Sequence, residues 1–134
     1  MFSSAYPRAF VALAALVGVA ATSTAANAAT NGQQLYTANC SSCHQAKGQG
    51  ISRAFPPLAH NAFVTGNAKP VIQTVLNGKN GAITVNAIKY NGAMPPWKSK
   101  LSDAQIADVV NYIRSSWGNH ASKVSQKQVK QDGG

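Results

Sequence analysis

Two cysteines separated by two residues and followed at once by a histidine, Cys40-Ser41-Ser42-Cys43-His44, restrict this chain more than any other stretch. A disulfide between the two thiols would close a loop too short to constrain the unfolded chain. A thioredoxin-like redox pair needs strands and helices alternating around it, and none are legible. Zinc needs further Cys or His ligands at suitable spacing, and only His60 and His120 remain. The chemistry that fits is covalent haem attachment: two thiols at this spacing add to the two vinyl groups of one haem, and His44 is carried beneath its iron.

The chain has 134 residues, room for one small domain. Its first 28 residues read as an export leader, with Arg8 as the positive flank, an apolar run from Phe10 to Ala21 and small residues at Ala26-Asn27-Ala28 before a cut after Ala28. A spanning helix needs roughly 20 apolar residues, so this run is too short for an anchor. The expected organisation is therefore leader 1–28, domain 29–119 and a flexible basic tail 120–134, located in the periplasm as a soluble monomer without a spanning segment.

Charge is the second global signal. Twelve Lys and Arg stand against three acidic residues, Asp103, Asp108 and Asp132. Losing Arg8 with the leader lowers the net charge from +9 to +8, and two haem propionates lower it by about two more. An exported chain without a nucleic-acid motif is not expected to bind nucleic acid. The surface suits acidic redox partners instead, such as a membrane cytochrome complex, a terminal oxidase or a dehydrogenase. Lys47, Arg53, Lys69, Lys79, Lys89, Lys98 and Lys100 are candidates to ring an exposed haem edge.

A first helix is expected from Thr30 to about Cys43, with Thr30 and Gln33 as a capping box and Gly32, Tyr36 and Cys40 on one face. Residues 47–57 read as a loop in which a carbonyl at Pro56-Pro57 could take the second ring proton of His44. His60 reads as a bystander, and Phe63 and Val64 as packing. A short helix is expected from Pro70 to Asn77, with Pro first and Gly78 at its end. Residues 78–92 read as irregular loop, where Tyr90 either meets a propionate or simply packs its ring. In Gly92-Ala93-Met94-Pro95-Pro96-Trp97, Met94 is the only thioether left after the leader, held in a rigid, breaker-rich loop, and Trp97 is expected to close the pocket. The last helix is the clearest: Leu101 and Ile106 form a staple, Ser102 and Gln105 a capping box, and Ile106, Val109, Val110, Ile113 and Trp117 a stripe.

In this order the motifs resemble a class I c-type cytochrome, from about Thr30 to Asn119. The resemblance implies an all-α cytochrome c fold, three to five helices around one covalent haem c, with the N- and C-terminal helices crossing. It assigns the thioethers to Cys40 and Cys43, the proximal ligand to His44, the distal ligand to Met94 and the carbonyl partner of His44 to Pro56. Gly32 and Tyr36 match the crossing positions of the first helix, and Val109, Tyr112 and Ile113 those of the last. An iron with His and Met ligands has no open position, and no acid, base or nucleophile is in evidence, so the expectation is a single-electron carrier and not an enzyme. The alternatives are a haem-bearing subunit of a larger periplasmic dehydrogenase, oxidase or reductase, and a gas- or peroxide-reactive cytochrome from which Met94 dissociates.

Overall fold

A computed structural model describes residues 25–134. The apolar run and Arg8 of the expected leader lie outside the described residues. Helix α1 (Ala25–Asn39) begins ahead of Thr30, which is therefore an interior residue and not a cap. The helix expected to reach Cys43 breaks at Cys40, where φ is −120° and ψ −31°, and resumes as the single turn α2 (Ser41–His44).

The middle of the chain is more regular than its breakers suggest. α3 (Ala62–Thr65) is capped by the Asn61 side chain, and α4 (Ala68–Asn77) by that of Asn67, which accepts from Lys69 N. Pro70 is thus the third residue of α4, not the first. It is tolerated because the N–H groups of a first turn have no intrahelical partner. The expected irregular loop contains a small antiparallel ribbon, β1 (Ile83–Val85) against β2 (Ile88–Tyr90), with Ile83 opposite Tyr90 and Val85 opposite Ile88. Asn86 and Ala87 both have positive φ, 50° and 63°, as a two-residue turn matched to strand twist requires.

α5 (Asp103–Ser115) has the expected capping box: Gln105 N donates to Ser102 Oγ and Ser102 N to Gln105 Oε1 at 2.9 Å. Its apolar stripe packs on two sides. Val109 and Ile113 meet Tyr36 and Val64, while Ile106 and Val110 meet Val71, Ile72, Val75 and Leu76 of α4. The crossing of α1 over α5 is closest at Gly32, where an added Cβ would stand 2.5 Å from the Asp108 carbonyl oxygen. Any larger residue would lever the helices apart.

The flexible tail is overturned. After Gly118 (φ 82°) the chain turns back, and α6 (Gln126–Asp132) docks on α4 and α5. Val124 and Val129 are buried in the same cluster as Leu76 and Val110. The Asn111 side chain grips Val124 at both backbone groups, accepting from its N at 2.7 Å and donating to its O at 2.8 Å. Among the described residues there are six helical segments and one ribbon, not three to five helices, around an otherwise all-α arrangement.

Candidate haem site

α2 turns Cys40 and His44 toward one cavity of about 590 Å³, whose lining is mostly apolar. That volume is within the range of about 300–1,000 Å³ usual for small-molecule and cofactor sites. The other walls come from α3, α4, the ribbon and α5, through Val64, Val71, Val85, Val109 and Ile113 among others. Met94 reaches it from the loop after the ribbon. Cys40, His44 and Met94, far apart in sequence, therefore share one cavity. Cys43 is half-buried and is not among the lining residues, and the two thiols are not joined to each other.

His44 is held by the loop that follows it. Gly50 N donates to the His44 carbonyl, Ile51 and Phe55 form an antiparallel bridge, and the Gly48 carbonyl accepts from Leu58 N and Ala59 N. Gly50 has φ 68° and lies so close to Phe55 O that a side chain could not fit, which lets the loop fold back on itself. The turn brings Pro56 O to 2.9 Å from His44 Nδ1. A carbonyl only accepts, so the proton is on Nδ1 and Nε2 keeps its lone pair. Burial lowers the pKa of His44, with the Pro56 bond opposing it, so the ring is favoured in its neutral, metal-binding form. Burial, and then the neighbouring Cys43, push Cys40 up to about 11.

Met94 is held equally firmly. Its N donates to Lys79 O at 2.8 Å and its O accepts from Lys79 N at 3.0 Å. Gly78, at φ 74°, lies against Met94 O with no space for a side chain. A buried imidazole nitrogen, a thioether sulfur and a mostly apolar wall suit a haem iron in kind.

Other expected residues fall differently. Pro56, not Pro57, is the partner of His44, while Pro57 O accepts from Asn61 Nδ2. Tyr90 lines the cavity with its ring buried. Trp97 does not close it: the indole packs on the α4–α5 cluster, with Lys100 Nζ 5.1 Å from its ring centroid. Of the seven candidate basic residues only Lys79 lines the cavity, and Lys98 donates instead to Gly133 O. His60 packs against Gly118, outside the cavity.

Sequence reasoning missed two supports. Asn61 caps α3 and pins Pro57, and its position just before an apolar turn was a legible cap signal. Arg114 is the basic residue in the last turn of α5, a place where such a side chain ordinarily stays in solvent and complements the helix dipole. It is instead 2% exposed, with Nη1 donating to Val64 O and Gly66 O and Nε to Ser122 O. Burial lowers its pKa.

Residues 29–117 match the family model for Cytochrome c. Cytochrome c-552 of Thermus thermophilus is 43% identical over 96 residues, 69% of this chain and 64% of the relative. The cytochrome c subunit of alcohol dehydrogenase (quinone) from Gluconobacter oxydans is 39% identical over 90 residues, 67% of this chain but 19% of the relative. Cytochrome c6 of Diacronema lutheri is 31% identical over 91 residues, 66% of this chain and 95% of the relative. This chain thus spans less than two thirds of some relatives and nearly all of another. With a buried histidine behind a two-cysteine turn and a family match over residues 29–117, the chain belongs to the cytochrome c family, whose covalently bound haem c its Cys40 and Cys43 fit.

Proposed function

We propose that this chain carries single electrons on one haem c, which Cys40 and Cys43 would bond covalently and whose iron His44 and Met94 would hold. The observation that carries the reading is that His44 and Met94 line one apolar cavity and are each pinned by backbone hydrogen bonds. When bound, the haem supplies an iron that gains and loses one electron. The protein's part is to hold ligands and exclude water. Pro56 O fixes the tautomer of His44 and makes Nε2 the better donor. The Lys79 bridge holds Met94 in place, and the apolar wall lowers the local dielectric, which tunes the potential. None of Asp103, Asp108 and Asp132 lines the cavity, so no carboxylate there serves as an acid or base. The reading is a carrier, not an enzyme.

The leader 1–28 is the basis for placing the mature chain in the periplasm, with a cytochrome domain that starts at residue 29 and takes in the docked C-terminal segment. Among the described residues no helix is long and apolar enough to cross a membrane. The basic surface suits acidic partners, and the chain is read as a monomer. One observation favours a second role, as the haem-bearing subunit of a dehydrogenase. Relatives include cytochrome subunits of alcohol, gluconate and fructose dehydrogenases, in which the matched segment is only about a fifth of the length. Co-purification with a stoichiometric enzyme would favour it over a diffusing carrier.

The deciding experiment is a spectrum of the purified holoprotein. The oxidised form is expected to show the weak far-red sulfur-to-iron band, and Met94→Ala to abolish it. If the wild type lacks the band, Met94 is not the distal ligand; ready binding of carbon monoxide to the reduced protein at neutral pH would instead mark a Met94 that dissociates.

A further inference from the structure

The family match ends at residue 117, and the segment beyond it packs where it can act on the Met94 loop. Leu76, the last apolar residue of α4, is the shared neighbour. Its side chain abuts the backbone of Gly133, just past α6, and it is buried in one cluster with Val124 and Val129. Its carbonyl accepts from Trp97 N at 3.2 Å and Lys98 N at 3.1 Å, three and four residues beyond Met94. Met94 and Trp97 themselves pack on that cluster. Two polar ties close the arrangement: Lys98 Nζ donates to Gly133 O at 3.2 Å, and Gln73 Nε2 to Asp132 O at 3.2 Å.

From this we infer that residues 122–134 are a clasp that positions Met94, so that the C-terminal segment governs how often the distal side of the cavity opens to outside ligands. The inference rests on Met94 being the distal ligand. Its physical basis is how the loop is supported on that side. The Met94 loop has one backbone bridge at Lys79, and its other anchor is the end of α4, which α6 covers. Undocking the clasp would expose Leu76 and loosen Trp97 and Lys98 together. Val129, at 0% exposure, is the residue on which docking depends most. Asn111, on α5 and away from the cavity lining, sets the path of the chain through its two bonds to Val124.

The test uses full-length holoprotein and imidazole as a competing ligand for the oxidised form. Apparent affinity scales with the fraction of molecules whose distal side is open. Val129→Asp is expected to bind imidazole about tenfold more tightly than wild type, equal to about 1.4 kcal/mol. Val129→Ile is expected to stay at the wild-type value. Should Val129→Asp fail to fold, Asn111→Ala and Lys98→Met together decide the question, with the same direction of change. In these variants the far-red band should also disappear at lower denaturant than the helical signal, whereas in wild type the two vanish together. A wild type with the band, but with imidazole affinity unmoved in every variant while unfolding midpoints fall, overturns the clasp and leaves only general stabilisation. A wild type without the band removes Met94 from the iron, and the clasp proposal falls with it.

Discussion

Replacing Gly32 with alanine puts two effects of opposite sign against each other. A β-carbon there would be 2.5 Å from Asp108 O and 2.9 Å from Tyr112 Cβ, where ordinary contact is 3.4–4 Å. Neither atom can swing aside, because one is backbone and the other is fixed to it. α1 must therefore retreat from α5 by about 1 Å, a gap that forfeits about a quarter to a half of the attraction in each contact it opens. The contacts at risk include Tyr36 against Val109 and Ile113, all buried. Overpacking of this kind costs about 1–3 kcal/mol, and a collision with backbone belongs at the upper end. Alanine returns about 1 kcal/mol through its helix propensity. The net expectation is a loss of about 2 kcal/mol. Denaturant unfolding of the holoprotein, followed by far-ultraviolet circular dichroism, should show a lower midpoint at unchanged slope. Gln34→Ala, exposed on the same helix, is the control and should change stability by less than about 0.5 kcal/mol. A Gly32→Ala protein as stable as wild type, or more so, would refute the crossing argument, since propensity alone predicts that sign.

Burial, more than any neighbouring charge, raises the pKa of Tyr36 above its ordinary 10.0. Its contribution to stability is therefore complete below pH 10.0 and is lost as pH rises beyond it, because the unfolded chain releases the proton first. Tyr36→Phe should cost about 1 kcal/mol at neutral pH through the bond to Gln45 O, and should flatten the decline above pH 10.0 seen in stability-against-pH titrations. Gly78→Ala forces a side chain into φ 74° and against Met94 O. It should cost at least about 1–2 kcal/mol and weaken the far-red band; an undisturbed band would mean that the bridge does not position Met94. Oxidation by an acidic partner should slow as salt rises toward physiological strength, where the screening length is about 8 Å; a rate insensitive to ionic strength would remove steering by the lysines.

The attachment motif, the capping box of α5 and its apolar stripe were legible because each is a local pattern whose chemistry or period is complete within a few residues. The same holds for the crossing glycine, which stands one helical turn from Tyr36 on the same face. Short-range signals failed where the decisive partner was remote. The ribbon reads as loop because the alternation from Ile83 to Val85 is too short to specify a strand, and its Asn86-Ala87 turn lacks the usual glycine. Residues 120–134 read as a tail because two valines among fifteen residues cannot form a core alone.

The sequence by itself therefore determined the cofactor chemistry, the candidate ligands and the two long helices that cross, since spacing along one chain segment is enough to specify each. Tertiary structure alone decided which proline carbonyl meets His44, where Trp97 and Arg114 go, and that the C-terminal segment folds onto α4. Those outcomes depend on surfaces brought together from distant segments: Val124 and Val129 gain burial only once α4 and α5 present an apolar groove to receive them, and Arg114 is tolerated inside only because three carbonyls converge there.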